Sequence, residues 1–147
     1  MFRGLLITGL PGVGKTTLAR ALAESLRAAG RTVAVIDGDD LRAAARDQDF
    51  SLAGRQRQVA RALAAAQVAM VDGAIPLIAL VAPDAVLRAH LRRELPGLGE
   101  VLVVHANAAR PAWPGTAYEV SQPDLVLDGA APVALATAIL RSSLIGE

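Results

Sequence analysis

The chain has 147 residues, of which 53% are hydrophobic and 20% are charged, a composition typical of one folded domain. A formal net charge of +1 and an aromatic content of 3% argue against nucleic-acid binding, which needs basic surfaces and stacking platforms. The absence of cysteine excludes disulfides and thiolate metal sites, and the longest apolar run, at residues 74–82, is too short to span a bilayer. We therefore expect a cytoplasmic protein without nucleic-acid or membrane partners, with a single domain at residues 1–147.

The first predicted elements are a strand, a glycine-rich loop and a helix. Residues 4–8 (GLLIT) form a short apolar run that indicates a buried strand, and residues 17–29 carry leucines at four-residue spacing, which indicates a helix. Between them, GLPGVGKT at residues 9–16 matches the phosphate-binding P-loop pattern G-x-x-x-x-G-K-[ST]. A strand before this loop and a helix after it are the context in which the pattern predicts a binding site.

The P-loop residues predict how ATP and Mg²⁺ are held. Glycines let the backbone curl so that its N–H groups surround phosphate, and the N-terminus of the following helix adds a favourable dipole. Lys15 is the single lysine among the 15 Lys and Arg residues, and its compact ammonium group is expected to reach the β- and γ-phosphates, while Thr16 offers its hydroxyl to Mg²⁺. The predicted nucleotide-binding residues of the loop are Gly9, Leu10, Pro11, Gly12, Val13, Gly14, Lys15, Thr16 and Thr17.

The rest of the chain continues to alternate strands with helices. Further strands are predicted at residues 32–36, 75–81, 101–104 and 125–127, and further helices at residues 41–46, 53–72, 83–94 and 132–144. This alternation predicts an α/β fold of the P-loop NTPase type, a three-layer sandwich whose mostly parallel five-stranded sheet has helices on both faces. Ligands of such folds bind at the carboxyl ends of the strands.

An acidic cluster, DGDD at residues 37–40, follows the second strand and lies at the same edge as the P-loop. Phosphoryl transfer to a hydroxyl needs a carboxylate that takes the acceptor's proton and Mg²⁺ that bridges the β- and γ-phosphates. We assign Asp39 as the base or hydroxyl-orienting group and Asp37 as the partner of Thr16 or of metal-bound water, so the predicted catalytic residues are Lys15, Asp37 and Asp39. The two aspartates are open to exchange, and the cluster also fits a solvated turn in which Asp40 caps the next helix.

Four arginines on the following helical segments suit an anionic acceptor, because the guanidinium fork matches phosphate or sulfate. We assign Arg42 and Arg55 to the acceptor. Arg57 is interpreted as a surface residue, and Arg61 is left open between the two roles.

Several segments together carry a resemblance to a known family. The P-loop stretch GLPGVGKTTLARAL is followed by DGDDLR at residues 37–42, similar to D-G-D-N-[IV]-R, and by FS at residues 50–51 with Arg55, similar to F-S-x-x-D-R. LVAP at residues 80–83 parallels F-I-S-P, and YE at residues 118–119 parallels the start of Y-E-A-P. In these segments the sequence resembles the adenylylsulfate kinases, which use ATP to phosphorylate the 3′-hydroxyl of adenosine 5′-phosphosulfate (APS).

The resemblance implies an acceptor site and a further nucleotide contact. Phe50 would pack on the acceptor adenine and Arg55 would hold the acceptor, while Gln58 and Leu80 stand where the family has an acceptor-binding Asn and a Phe. The predicted substrate-binding residues are Asp39, Arg42, Phe50, Arg55, Gln58 and Leu80, and Arg110 is predicted to contact the nucleotide.

The chain departs from the family pattern in its acceptor helix and in its lid. Gly54 stands where the family has Asp, and Arg57 where it has Glu. The family's lid is a long basic segment, whereas residues 107–121 (NAARPAWPGTAYEVS) contain one arginine and no lysine. Because a lid excludes water and supplies charge, its shortening favours a changed acceptor. Trp113 and Tyr118 are interpreted as packing under this loop in preference to closing over a ligand.

The sequence therefore predicts a kinase that transfers the γ-phosphoryl group of ATP, with Mg²⁺, to a hydroxyl of a small-molecule acceptor. A nucleoside-like, nucleotide-like or other specialised-metabolism alcohol is the preferred acceptor. Two alternatives stay open: a genuine APS kinase, and a nucleotide-binding regulatory module without kinase turnover. The chain lacks an N-K-x-D guanine motif and a D-x-x-G switch after the third strand, which argues against a GTPase switch. A homodimer is also left open.

Overall fold

The structure, a computed structural model, describes residues 1–105 and 116–146. Its strands are β1 (Gly4–Thr8), β2 (Val33–Asp37), β3 (Ile75–Ala79), β4 (Leu98–Val104) and β5 (Leu125–Asp128). Its helices are α1 (Lys15–Ala28), α2 (Gly38–Ala45), α3 (Leu52–Val71), α4 (Ala85–Glu94) and α5 (Val133–Ile145). Within the described residues the strands form one parallel sheet in the order β2-β3-β1-β4-β5, which confirms the predicted fold class.

Alternate residues of the central strand β1 face the two helical layers. Leu5 and Ile7 pack in one apolar cluster with side chains of α1 and α5, whereas Leu6 packs in a second cluster with side chains of α3 and α4. All three side chains are fully buried. A parallel sheet covered on both faces buries both sets of side chains, and this is why its strands read as continuous apolar runs.

α2 and β4 each begin three residues earlier than the sequence predicts, and each does so for a physical reason. α2 begins at Gly38 because the Asp37 carboxylate accepts hydrogen bonds from the backbone N–H groups of Asp39 and Asp40 and so caps the helix. The alternative in which Asp40 caps this helix is therefore wrong. β4 begins at Leu98, between the predicted helix at residues 83–94 and the predicted strand at residues 101–104, because its first residues pair with β1.

The strand order brings the P-loop and the acidic cluster to one edge of the sheet. The P-loop follows the carboxyl end of β1, and Asp37 is the last residue of β2. β3 ends at Ala79, before the predicted residue 81, and residues 80–84 cross the same edge on the way to α4. No helix in the described ranges is long and apolar enough to cross a membrane.

Candidate functional site

A cavity of about 390 Å³ opens at this edge of the sheet, a volume within the range of small-molecule sites. The predicted site residues that line it are Pro11, Gly12, Gly14, Lys15, Thr16, Thr17, Asp37, Asp39, Arg42, Phe50, Arg55, Gln58 and Leu80. Gly9, Leu10 and Val13 are not part of the lining, and Val13 packs in the core beside the loop. The predicted contacts of Arg110 and Trp113 lie outside the described residues.

The P-loop adopts a backbone that favours glycine, with a positive φ at Gly9, Gly12 and Gly14. Gly9 has a φ of +147°, and a Cβ atom there would lie 2.5 Å from the Val103 carbonyl oxygen of β4. Gly14 has a φ of +96° and immediately precedes α1. The loop therefore turns directly into the helix and presents the first N–H groups of α1 toward the cavity, which is the arrangement that binds phosphate.

The Lys15 side chain lies over the loop from which it starts. Its Nζ atom donates hydrogen bonds to the carbonyl oxygens of Gly9, at 2.9 Å, and Leu10, at 2.8 Å. Burial lowers the pKa of Lys15 to about 8, and the negative charges of Asp39 and Asp37 partly oppose this shift. Because the cation is poorly stabilised there, a polyphosphate bound on the loop would stabilise its charged form.

Asp37 and Asp39 have different surroundings, which distinguishes their roles. Asp37 is buried, and its Oδ2 atom accepts a hydrogen bond of 2.6 Å from the Thr16 hydroxyl. Its Oδ1 atom accepts the N–H groups of Asp39, at 2.8 Å, and Asp40, at 3.3 Å. Asp39 is exposed and lines the cavity. Asp37 is thus committed to holding Thr16 and α2, and Asp39 presents the accessible carboxylate.

The Thr16 and Asp37 oxygens fit a magnesium ion. In nucleotide sites Mg²⁺ takes only a few oxygen ligands from the protein, and phosphates and water supply the rest. The Thr16 hydroxyl and the Asp37 carboxylate oxygen, 2.6 Å apart beside the phosphate-binding loop, are ligands of this kind. In the described ranges no group of three or more His, Asp or Glu residues could hold a metal by itself. The donor set therefore suits a metal that arrives with the nucleotide.

Arg42 and Gly54 fix the segment that carries Phe50. The Arg42 Nη1 atom donates to the carbonyl oxygens of Asp47, at 3.3 Å, and Asp49, at 3.0 Å, and its guanidinium lies 4.2 Å from the Phe50 ring centroid. A Cβ atom at Gly54 would lie 1.9 Å from the Asp49 carbonyl oxygen. The segment can therefore lie against α3 only because residue 54 has no side chain, and this gives a physical account of one departure from the family pattern.

Arg57 and Arg61 bind the same segment through its carboxylates. Arg57 bridges Asp47, at 3.1 Å, and Asp49, at 2.8 Å, and Arg61 contacts Asp47 at 3.1 Å. Hydrogen bonds from Ser51 and Arg57 lower the pKa of Asp49 to about 2. The predicted surface location of Arg57 agrees with its half-exposed side chain, and the ion pairs add a structural role.

Gln58 and Leu80 form part of the cavity wall. The Gln58 Nε2 atom donates to the Gly38 carbonyl oxygen at 2.7 Å, and its Oε1 atom accepts hydrogen bonds from the Arg61 side chain. Leu80 is 3% exposed and supplies apolar surface. Gln58 thus joins the start of α2 to α3 in addition to facing the cavity.

Arg55 lies in the cavity wall with an acidic partner that the sequence pattern did not predict. Its Nε and Nη2 atoms donate to the two carboxylate oxygens of Asp84 at 2.7 and 3.0 Å, and its Nη1 atom donates to the Phe50 carbonyl oxygen at 2.8 Å. The hydrogen bonds to Asp84 raise the pKa of Arg55. Asp84 lies on the loop after β3, far from Arg55 in the sequence, so only the fold brings the two together.

The sequence also did not predict a buried cluster around Arg88. Arg88 is fully buried on α4, donates to the carbonyl oxygens of Ala82 and Glu119, and lies 4.5 Å from the Tyr118 ring centroid. The Tyr118 hydroxyl is within hydrogen-bond distance of Thr8, at 3.0 Å, the last residue of β1 before the P-loop. Tyr118 therefore packs against the buried Arg88 side chain, and its hydroxyl joins the segment after residue 115 to the strand that precedes the P-loop.

Known proteins are similar in sequence to this chain over most of its length. The sequence profile described as Adenylylsulphate kinase matches residues 3–112. The chain is 41% identical over 102 residues to the bifunctional enzyme CysN/CysC of Rhodopirellula baltica, and the aligned residues make up 69% of this chain and 16% of that protein. It is 38% identical over 102 residues to the adenylyl-sulfate kinase of Aeromonas hydrophila, and the aligned residues make up 69% of this chain and 51% of that protein. The match thus spans about half the length of the second relative and less of the first.

Solved structures share the fold. A mutant of the APS kinase CysC from Mycobacterium tuberculosis matches with a TM-score of 0.78 at 26% identity, covering 96% of each chain. The hexameric APS kinase from Thiobacillus denitrificans matches with a TM-score of 0.77 at 30% identity, covering 96% of this chain and 28% of that chain. Since nearly the whole chain is covered, the likeness includes the elements that line the cavity.

Proposed function

Because the chain belongs to the adenylylsulphate kinase family, we propose that it transfers the γ-phosphoryl group of ATP to the 3′-hydroxyl of APS. The family match over residues 3–112 and the adenylyl-sulfate kinases among its relatives support APS as the acceptor. They outweigh the preference for another alcohol, which rested on the shortened lid and the altered acceptor positions. That the chain acts as one kinase domain, and that it forms a homodimer, stay predictions.

The observation that carries this proposal is the placement of Lys15, Thr16, Asp37 and Asp39 around one cavity. The P-loop backbone and Lys15 would hold the phosphates of ATP. Thr16, held by Asp37, would hold Mg²⁺, which when bound neutralises charge on the β- and γ-phosphates. This arrangement supports a donor site for a nucleoside triphosphate at the P-loop side of the cavity.

The proton acceptor in this scheme is Asp39. The acceptor hydroxyl would give its proton to the Asp39 carboxylate as its oxygen attacks the γ-phosphorus and the bond to the β–γ bridging oxygen breaks, which releases ADP. Asp37 is less suited to this task, because both of its oxygens already accept hydrogen bonds from the protein. The contrast between the two aspartates supports the assignment made from the sequence.

The acceptor would lie at the opposite side of the cavity, between α2, α3 and the loop after β3. Phe50 and Leu80 offer apolar surface to a flat base, and Arg55 offers a cation, although one already paired. The apolar surface suits the flat base of a nucleotide, and the Arg55–Asp84 pair lies at the same side of the cavity.

A measurement of ADP release across a panel of acceptors tests the proposal. With ATP and Mg²⁺, we expect APS to stimulate ADP release well above the rate with adenosine, AMP or sugar alcohols. The Lys15→Ala variant should lose about 10²–10³-fold in turnover, as expected when a group that stabilises transition-state charge is removed. Arg20→Ala removes an exposed cation from the same helix and should stay within about twofold of the wild type.

Two outcomes count against the proposal. Turnover selective for another alcohol would restore the acceptor class that the departures in sequence favoured. ATP binding without ADP release for any acceptor would support the regulatory module instead.

A further inference from the structure

Asp84 occupies the N-cap position of α4 but does not cap it. Its backbone is extended, with φ −86° and ψ 115°, yet its side chain makes no hydrogen bond to the first turn of the helix. Aspartate at this position ordinarily accepts a hydrogen bond from its own helix. Both carboxylate oxygens instead contact Arg55, at 2.7 and 3.0 Å, across the cavity wall.

Glu119 takes over the capping function. Its Oε1 atom accepts a hydrogen bond of 3.0 Å from the backbone N–H of Ala85, the first residue of α4, and its own N–H donates to the Pro83 carbonyl oxygen at 2.9 Å. A residue from a distant part of the chain thus stabilises the helix end. This leaves the Asp84 carboxylate available to Arg55.

The pairing changes the charge that the cavity offers to an acceptor. The Arg55 guanidinium has its Nε and Nη2 atoms on Asp84 and its Nη1 atom on the Phe50 carbonyl oxygen. The two charged side chains are only 12% and 19% exposed, so water screens the pair weakly. An anionic acceptor that reaches this point therefore meets a neutralised pair instead of a free cation.

We propose that Asp84 is a specificity-determining residue: by neutralising Arg55 it lowers the affinity of the cavity for anionic acceptors relative to neutral ones. The inference rests on the proposed function, because it takes APS as the anionic acceptor. The inference concerns the ratio of affinities for anionic and neutral acceptors. It assigns Asp84 no part in the phosphoryl-transfer step, for which Lys15 and Asp39 are proposed.

The test compares the binding of APS and of adenosine, which has the same ribose hydroxyl but no anionic group. Calorimetric titration in the presence of Mg²⁺ and ADP measures both dissociation constants without turnover. In the Asp84→Asn variant we expect the dissociation constant of APS to fall roughly tenfold, because a nearby negative charge is removed from a partly buried site, while that of adenosine stays within about twofold. The Asp72→Asn variant removes an equal charge at an exposed position outside the cavity and should leave both constants unchanged.

The Asp84→Ser variant guards against misfolding, because serine is itself a good N-cap residue, and it should shift the ratio in the same direction. Weaker APS binding in both variants would show that Asp84 orients Arg55 for the acceptor and would overturn the inference. Equal changes for both acceptors would overturn it too.

Failure of the proposed function has a different signature. The proposed function fails if the wild type shows no APS-dependent release of ADP, whatever the ratio of the dissociation constants of APS and adenosine. No measurable APS binding by wild type and variants alike would contradict both proposals.

Discussion

Replacing Arg88 with methionine removes a buried cation while keeping a side chain of similar length. The wild-type guanidinium donates to the carbonyl oxygens of Ala82, at 2.6 Å, and Glu119, and to the Ser121 hydroxyl at 3.3 Å. Its Nε atom lies 3.6 Å from the Glu100 carboxylate, which is itself 2% exposed. Arg88→Met therefore leaves a buried carboxylate without its cation and the carbonyl groups of Ala82 and Glu119 without this donor.

The expected loss of stability is large for a protein of this size. Breaking a buried ion pair by removing one partner costs about 3–5 kcal/mol, compared with a total unfolding free energy of about 5–15 kcal/mol for typical domains. The double variant Arg88→Met with Glu100→Gln should be more stable than Arg88→Met alone by about 1–3 kcal/mol, because the second change removes the uncompensated charge. The rescue should be partial, because the carbonyl groups stay without their donor.

Urea unfolding followed by circular dichroism measures these differences. Arg92→Met is the matched control: it makes the same substitution on the same helix, but the ion pair of Arg92 with Asp124 is 33% and 29% exposed and should contribute at most about 1 kcal/mol. The reasoning would be refuted if Arg88→Met cost no more than this control. It would also be refuted if the Arg88 and Glu100 changes simply added.

Two further predictions concern the cavity. A Cβ atom at Gly54 would lie 1.9 Å from the Asp49 carbonyl oxygen, so Gly54→Ala should displace the segment that carries Phe50. Steady-state kinetics should then show a KM for APS raised roughly tenfold and a KM for ATP nearly unchanged; equal changes in both would contradict the placement. Because the pKa of Lys15 is lowered to about 8 and phosphate should raise it, ATP binding near pH 8.5 should take up protons and weaken as the pH rises further. Calorimetry in buffers of different ionisation enthalpy checks this, and binding without proton uptake would count against a Lys15–phosphate contact.

The donor half of the site could be predicted from the sequence because its determinants are local. The P-loop and the start of α1 occupy consecutive residues, and glycine is required where the backbone has a positive φ. Asp37 is the last residue of β2, so the alternation of strands and helices was enough to place it at the same edge of the sheet.

The acceptor half depends on contacts between distant residues. Arg55 and Asp84 are 29 positions apart. No local pattern indicates that the side chain of an aspartate at an N-cap position will bind an arginine instead of capping its own helix. Arg88 offered a weak signal, since its spacing from Leu91 and Leu95 places it on the buried face of α4, but its partners come from distant segments. Pairing with β1 likewise extends β4 back to Leu98, three residues before the strand predicted to begin at residue 101.

Transfer of labelled phosphate tests the central claim most directly. With ATP labelled in the γ-phosphoryl group, Mg²⁺ and APS, we predict that the label appears on the 3′-hydroxyl of APS. In the Asp39→Asn variant the rate of labelling should fall by about 10²-fold or more, as expected for loss of a general base, while the affinity for ATP is retained. Labelling of APS at an undiminished rate by Asp39→Asn would contradict the assignment of the base, and label found only in inorganic phosphate would contradict the proposed reaction.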